Sequence, residues 1–192
     1  VQVEIDPTQR LGPGTFTENQ ILNDAPVALG DTGAVSEAAT GFAGVASTSG
    51  NVLTNDTDAD SGLDDTMQVL DAGTVSGTYG SLSIDSNGTW TYTLDNSLSA
   101  TEGLNGGVTG TETFSYTVVD ANGATATSSL TVTVTGTNDI ATLTDDSETI
   151  TESDVAQTVT GQLTLSDADA DAATVVADTI SGTYGSFSVD TD

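Results

Sequence analysis

The sequence predicts an all-β protein made of tandem β-sandwich repeats, and three observations support this prediction. Apolar and hydroxyl residues alternate in short runs, as they do in strands with one buried face. Gly, Asn and Asp cluster between these runs, as they do in turns. Most directly, residues 76–85 (SGTYGSLSID) recur at 181–190 as SGTYGSFSVD. A match of this length indicates two copies of one structural unit.

The repeat also defines the expected domain organisation. Upstream of these segments, NDAPVALGDTGAVSE from Asn23 aligns with NDIATLTDDSETITE from Asn138, and TDAD at 57–60 recurs as SDAD at 166–169. We therefore expect a complete sandwich over residues 23–137 and the first half of a second, incomplete repeat over residues 138–192. Residues 1–22 match neither copy, and they begin with an amphipathic run that alternates as one strand does.

The complete unit contains about seven strand signals, the number and spacing typical of an immunoglobulin-like sandwich. Strands are expected near residues 26–35, 43–54 and 67–76. Two hairpins follow, one turning at Ser-Asn-Gly (86–88) and one at Asp-Ala-Asn-Gly (120–123). Their predicted inner faces hold Leu82, Ile84, Trp90, Tyr92, Leu94, Phe114, Tyr116, Val118, Leu130, Val132 and Val134.

The composition excludes several functional classes. The chain of 192 residues has 29 acidic side chains, one basic side chain (Arg10), no His and no Cys, which gives a net charge of −28. Zinc and haem sites and His-assisted nucleophiles cannot be built without imidazole or thiolate. Binding to nucleic acid or anionic lipid is opposed by charge, and no apolar run is long enough to span a bilayer. We expect no enzyme, and a cation as the partner of the carboxylates.

Several runs carry a family resemblance: NDAPV, LTNDTDAD, GTYGSLSIDSNGTWTYTLDN, ETFSYTVVDANG and TVTVTGTND. They resemble the VCBS-type, bacterial cadherin-like repeats of large RTX-type surface adhesins and biofilm-associated proteins. The resemblance covers residues 23–137 completely and residues 138–192 in part. It implies cadherin-like, immunoglobulin-like sandwiches in tandem, which act as calcium-stiffened spacers outside the bacterial cell.

Acidic loops are expected to meet at both ends of the complete unit. Because successive strands alternate in direction, the loop after the second strand and the 120–123 turn emerge at the end where Asn23 lies. Glu37 and Glu102 are expected at the opposite end, next to the second unit. Clustered carboxylates repel by about 4 kcal/mol per pair at an effective dielectric constant near 20. Calcium, which takes six to eight oxygen ligands, would relieve this repulsion. The predicted Ca²⁺ ligands are Asn23, Asp24, Glu37, Asp56, Asp58, Asp60, Asp120, Asn138, Asp139, Asp167, Asp169 and Asp171.

Alternatives remain open for these features. If the acidic loops bind no calcium, they are solvated turns of a marine or halophilic protein. Asp31 and Asp146 are further candidate ligands for calcium. The loop at 56–62 is not an EF-hand, because its Gly comes one place late and Met67 stands where the bidentate Glu belongs. The aromatic residues of the hairpins could form a sugar platform, but their alternation favours the core. An ice-binding role for the Thr residues of the last strand is the less favoured interpretation, because Thr is common on solvent-facing strands.

These observations predict a non-catalytic, calcium-rigidified spacer of an extracellular bacterial adhesin or fibre, with neighbouring repeats as its partners. One alternative is a filament subunit whose second sandwich is completed by strand exchange with another subunit. Another is a terminal module that binds carbohydrate or a surface. The missing strands of the second unit are expected either later in a longer polypeptide or from a second chain.

Overall fold

The structure is a computed structural model, and it describes residues 23–39, 41–59, 65–169 and 172–191. The amphipathic run at the N-terminus lies outside the described residues, as do the proposed ligands Asp60 and Asp171.

Strands dominate the described residues, as the sequence predicts. In chain order the elements are β1 (Asp31–Ser36), β2 (Ser47–Asn51), β3 (Gln68–Val69), β4 (Gly73–Ser76), β5 (Gly80–Ile84), β6 (Thr89–Leu94), α1 (Ser99–Glu102), β7 (Thr109–Val119), β8 (Thr125–Thr135), β9 (Thr142–Leu143), β10 (Leu165–Ser166), β11 (Asp178–Ser181) and β12 (Ser186–Val189). The single turn of helix α1 was not predicted, and it lies in the long loop between β6 and β7.

The first unit is a sandwich of two four-stranded sheets. One sheet has the strand order β1-β8-β7-β3 and the other has the order β2-β6-β5-β4. β1 lies parallel to β8, whereas the other neighbouring strands of both sheets are antiparallel. This arrangement confirms the predicted all-β sandwich.

Both predicted hairpins are present. β5 and β6 pair Leu82 with Tyr92 and Ile84 with Trp90, and all four side chains are buried. Gly88 ends the connecting turn with φ of 83°, a left-handed conformation that glycine adopts without strain. β7 pairs with β8 along the whole length of both strands. The alternation of residue types therefore identified the buried faces correctly.

The core lies between the two sheets and consists largely of the predicted residues. The buried apolar side chains are Val35, Val52, Val69, Leu82, Ile84, Trp90, Tyr92, Leu94, Tyr116, Val118, Leu130, Val132 and Val134. Phe114 is partly buried against them, and its ring lies 6.1 Å from that of Tyr92. The aromatic side chains of the two hairpins thus belong to the core and do not form an exposed platform for sugars.

Residues 67–76, predicted as one strand, form two short strands in different sheets. β3 pairs with β7, whereas β4 pairs with β5. At the crossing point the N–H of Leu70 donates to the carbonyl of Thr117 (2.9 Å), and the carboxylate of Asp71 accepts from the N–H of Thr117 (3.0 Å). Because the side chain of Asp71 occupies the edge of β7, the backbone pairing of β3 with β7 ends there. The chain then passes to the other sheet as β4.

The second unit repeats local structure of the first. Thr142 pairs with Ser166 as Val27 pairs with Thr57 in the first unit. The β11–β12 hairpin has the same register as the β4–β5 hairpin. The repeated sequence therefore adopts the same local structure twice.

Candidate metal centre

Three carboxylates from distant parts of the sequence meet where the first unit joins the second. Glu37 follows β1, Glu102 is the last residue of α1, and Asp139 lies shortly after β8. One carboxylate oxygen of each lies within 4.8 Å of those of the other two. These three residues are termed the junction cluster below.

Glu37 is the most buried member of the junction cluster, with no exposed surface. The N–H of Thr137 donates to its Oε2 (3.0 Å), and the Thr137 hydroxyl donates to its main-chain carbonyl (3.0 Å). Its other carboxylate oxygen, Oε1, is buried without a hydrogen-bond partner. A buried acceptor left in this state costs about 1–3 kcal/mol, and a charged one costs more.

The neighbours of the cluster hold its other members in place. Asn96 Nδ2 donates both to Glu102 Oε1 (2.9 Å) and to the carbonyl of Ala38 (2.8 Å), which ties α1 to the segment after β1. The N–H of Asp139 donates to Asp169 Oδ2 (2.6 Å), so a carboxylate of the second unit contacts the linker. Asp139 Oδ2 and Asp169 Oδ1 are both buried without a hydrogen-bond partner.

The electrostatic environment disfavours ionised acids at the junction. Burial raises the pKa of Glu37, and the charges of Asp139 and two further acids raise it more, although the N–H of Thr137 lowers it. Burial also raises the pKa of Asp139, with added contributions from Asp169 and Asp167. The one basic side chain of the sequence lies outside the described residues. A cation at this position would remove the repulsion.

The donor set of the junction fits calcium. It offers only oxygen atoms, three of which are buried without a donor. Zinc prefers nitrogen and sulfur ligands, which the sequence does not provide. Magnesium requires a near-ideal octahedron, whereas calcium accepts six to eight oxygens in irregular geometry.

A second group of carboxylates lies at the opposite end of the first unit. Asp58 follows the bridge formed by Thr57, Asp65 precedes β3, and Asp120 follows β7. One oxygen of each lies within 4.8 Å of those of the others, and the three residues are only 8%, 7% and 5% exposed. These residues are termed the N-terminal cluster.

Hydrogen-bond donors hold the N-terminal cluster in place. Asp120 accepts the N–H groups of Asn122 (2.9 Å) and Ala124 (2.8 Å), and Asn23 Nδ2 donates to its second oxygen (2.8 Å). Asp65 Oδ2 accepts from Asn122 Nδ2 (3.1 Å). Burial acts to raise the pKa of Asp120, but these hydrogen bonds outweigh it and hold the pKa below its usual value. The local turn therefore keeps Asp120 ionised.

Comparison with known families covers the first unit. A family model of the bacterial cadherin-like domain matches residues 23–136. The chain belongs to this family. Bacterial cadherin-like domains are adhesion or structural modules, typically extracellular and generally non-catalytic, and they commonly bind calcium. No curated protein matches the chain. Within the described residues, no helix is long and apolar enough to cross a membrane.

The structure brings half of the predicted ligands together. Those in or directly against the two clusters are Asn23, Glu37, Asp58, Asp120, Asp139 and Asp169. Their convergence at the two ends agrees with the expected alternation of strand direction. Calcium binding by these residues stays a prediction.

Asp56 belongs to neither cluster of the described residues. Its Oδ1 accepts the N–H of Leu29 (2.8 Å), while its Oδ2 is buried without a partner. Burial raises the pKa of Asp56, and the charge of Asp31 raises it further, although the N–H of Leu29 lowers it. Tyr116 in turn donates its hydroxyl to Asp31 Oδ2 (2.8 Å). These two acids therefore lie in a separate environment beside the core.

The remaining described candidates lie around the linkers. Asn138 is exposed, and its Nδ2 donates to the carbonyl of Asp139 (2.5 Å). Asp167 Oδ1 accepts the N–H of Asp169 (3.2 Å), which shapes the turn carrying that residue. Asp24 is exposed. Their roles as ligands also stay predictions.

The ligand set predicted from the sequence omitted Glu102 and Asp65. Glu102 was expected at the same end as Glu37, and the structure places it in the junction cluster. Asp65 lies directly before β3, so the rule of alternating strand direction would have assigned it to the N-terminal end.

Proposed function

We propose that the chain is part of a calcium-stiffened extracellular spacer, in which the junction cluster holds a calcium ion between consecutive repeats. One observation carries the proposal. Glu37 Oε1, Asp139 Oδ2 and Asp169 Oδ1 are buried carboxylate oxygens without a hydrogen-bond donor, and they come from both sides of the junction. Oxygens in this state need either protons or a cation.

The mechanism follows from which part of the chain supplies each acid. Glu37 and Glu102 belong to the first unit, whereas Asp139 and Asp169 belong to the linker and the second unit. Calcium, when bound, supplies the positive charge that these oxygens lack. Without it, each close pair repels by about 3–4 kcal/mol at an effective dielectric constant near 20, which favours separation of the units. With the charge balanced, the same side chains fix the angle between the repeats.

The family context extends the proposal to the cell surface. A row of such repeats would project a binding region away from a bacterium, as in VCBS-type repeats of RTX-type adhesins and biofilm-associated proteins. The function would be mechanical, because a stiff rod keeps its tip at a fixed distance whereas a jointed chain folds back. The N-terminal cluster would supply an equivalent site toward a preceding repeat.

Small-angle X-ray scattering of the full chain, with calcium and with a chelator, tests this function. We expect a larger maximum dimension in calcium. The double variant Glu37→Gln, Asp139→Asn should keep the chelated dimension in both conditions. The double variant Glu148→Gln, Glu152→Gln is the matched control, because it also removes two charges, both from exposed positions, and it should behave as the wild type. An identical scattering profile with and without calcium would contradict the proposal.

The two alternative functions have different support. A filament completed by strand exchange predicts that deletion of residues 1–22 abolishes polymerisation. A carbohydrate-binding module would need exposed aromatic side chains, and two of the hairpin aromatic residues considered for this role are buried: Trp90 is 4% exposed and Tyr92 has no exposed surface. The spacer therefore remains the favoured function.

A further inference from the structure

Two acids inside the first unit, Asp31 and Asp56, belong to neither the junction cluster nor the N-terminal cluster. Backbone hydrogen bonds join Val27 and Thr57 in both directions (2.7 and 3.1 Å), so the segment before β1 lies against the segment after β2. Asp56 lies in the second of these segments, and Asp31 is the first residue of β1. The fold of one unit is therefore sufficient to place these two carboxylates near each other.

Asp56 is buried with one carboxylate oxygen left without a donor. The residue is 7% exposed, and its Oδ1 accepts the N–H of Leu29 (2.8 Å), whereas its Oδ2 is buried without a hydrogen-bond partner. Aspartate is rarely buried to this degree unless its charge is paired. The neighbouring charge is instead of the same sign, because Asp31 acts together with burial to raise the pKa of Asp56.

The hydroxyl of Tyr116 cannot satisfy all the oxygens around it. It lies 2.8 Å from Asp31 Oδ2 and 2.9 Å from the carbonyl oxygen of Leu29. A hydroxyl has one hydrogen to donate, so it serves only one of these two acceptors fully. Burial raises the pKa of Tyr116, and the charges of Asp31 and Asp56 raise it further. Oxygens of two acids and one main-chain carbonyl therefore converge around a single donor.

The second unit has the same backbone pairing without the second acid. Thr142 pairs with Ser166 as Val27 pairs with Thr57, so Leu165 stands at the position of Asp56. Leucine is thus compatible with this arrangement of the backbone. Strand pairing alone does not require a buried aspartate, and the acid of the first unit needs another explanation.

We propose that Asp31, Asp56 and the main-chain carbonyl of Leu29 form a calcium site inside the first unit. Two carboxylates balance the two charges of the ion, and no basic side chain lies among the described residues to do so instead. Carboxylate and main-chain carbonyl oxygens are the ligands that calcium uses in proteins, with water completing the coordination. Such an ion ties the segment before β1 to the segment after β2. It therefore stabilises the first unit itself, and it is independent of the junction.

Nuclear magnetic resonance of the isotopically labelled full chain tests this site, with the amide of Leu29 as the reporter. This amide donates to Asp56 Oδ1, so an ion bound by Asp56 should shift its resonance. We expect a saturable shift with half-saturation at about 0.1–1 mM calcium. Asp56→Asn keeps an oxygen that can accept from Leu29 but removes a charged ligand, and it should raise the half-saturation concentration by about tenfold or more. Asp85→Asn is the matched control, because it removes the same charge from an exposed turn of the first unit and should titrate as the wild type.

The same titration separates this site from the two clusters. The Leu29 response should persist in the double variant Glu37→Gln, Asp139→Asn and in Asp65→Asn. Its loss in either would overturn the proposal, because the response would then report binding at a cluster. An equal half-saturation concentration in Asp56→Asn would also overturn it. So would the absence of a saturable Leu29 shift up to 10 mM calcium, and a shift in the scattering profile alone would then leave the spacer function standing without this site.

Discussion

Replacing Glu37 with glutamine should stabilise the calcium-free chain and reduce the further stabilisation that calcium gives. In a chelator, the variant loses a charge that repels Glu102 and Asp139. The amide oxygen of glutamine can still accept the N–H of Thr137, which donates to Glu37 Oε2 in the wild type. The amide nitrogen would replace Oε1, an atom that has no partner, and could donate to a neighbouring carboxylate. The calcium-free variant should therefore be more stable than the wild type.

The magnitude can be worked from the geometry. Two unit charges 4.8 Å apart repel by about 3.5 kcal/mol at an effective dielectric constant of 20. Glu102 and Asp139 are partly exposed, so salt and solvent reduce this to about 1 kcal/mol per pair. Two pairs and one new hydrogen bond give a gain of about 1–3 kcal/mol. For a unit of this size that corresponds to a melting temperature higher by about 4–12 °C in the chelator.

Calcium should stabilise the wild type more than it stabilises the variant. With a dissociation constant of about 0.3 mM, in the range of extracellular modules, 10 mM calcium stabilises the wild type by about 2 kcal/mol per site. Loss of one charged ligand weakens binding by about tenfold or more, which reduces this stabilisation to about 0.9 kcal/mol or less. The calcium-induced shift in melting temperature should fall by more than half.

Differential scanning calorimetry in chelator and in 10 mM calcium measures both effects. The control is Glu148→Gln, which removes one negative charge as Glu37→Gln does. The reasoning would be refuted if Glu37→Gln lowered stability equally in the two conditions. In that case the side chain would serve only as a hydrogen-bond acceptor for Thr137, and no cation would be needed at the junction.

Three further predictions concern other parts of the chain. Asp65→Asn should remove one calcium-binding event in isothermal titration calorimetry, and an unchanged stoichiometry would exclude the N-terminal cluster as a site. Folding raises the pKa values of Glu37 and Asp56, so the calcium-free chain binds more protons when folded. Its free energy of unfolding should therefore rise as pH falls from 7 toward the ordinary pKa values of these residues, 4.5 and 3.8. Chemical denaturation across this pH range checks the sign, and a free energy of unfolding that falls steadily with pH would contradict the prediction. Gly80→Ala should destabilise the first unit by about 3 kcal/mol or more through its clash with β6, whereas Gly185→Ala should change thermal unfolding by less than about 0.5 kcal/mol.

Most of the sandwich could be predicted because the sequence patterns that specify its strands and turns involve residues close together in the chain. The hairpins combine a two-residue alternation with Gly-containing turns, and these features fix both register and the buried face. The convergence of Asp58 and Asp120 also follows from local information, since alternation of strand direction decides at which end each loop emerges.

The remaining features depend on contacts that no local pattern encodes. The split of residues 67–76 results from Asp71 occupying the edge of β7, a contact between residues far apart in sequence. Membership of Asp65 in the N-terminal cluster depends on its contacts with Ala121 and Asn122, which are far from it in sequence. Helix α1 consists of a single turn, too short to produce a helical period, yet it determines where Glu102 lies.

A single buried acid elsewhere in the first unit clarifies why the junction points to a cation. Glu112 accepts hydrogen bonds from the Tyr79 N–H and the Tyr92 hydroxyl, and its Oε2 is buried without a partner. The unpartnered oxygen of one isolated acid does not by itself indicate metal binding. At the junction three acids lie within 4.8 Å of one another, and neutralising them would require several protons. One divalent cation satisfies all of them at once, so the evidence for calcium is that unpartnered oxygens of several acids converge at one position.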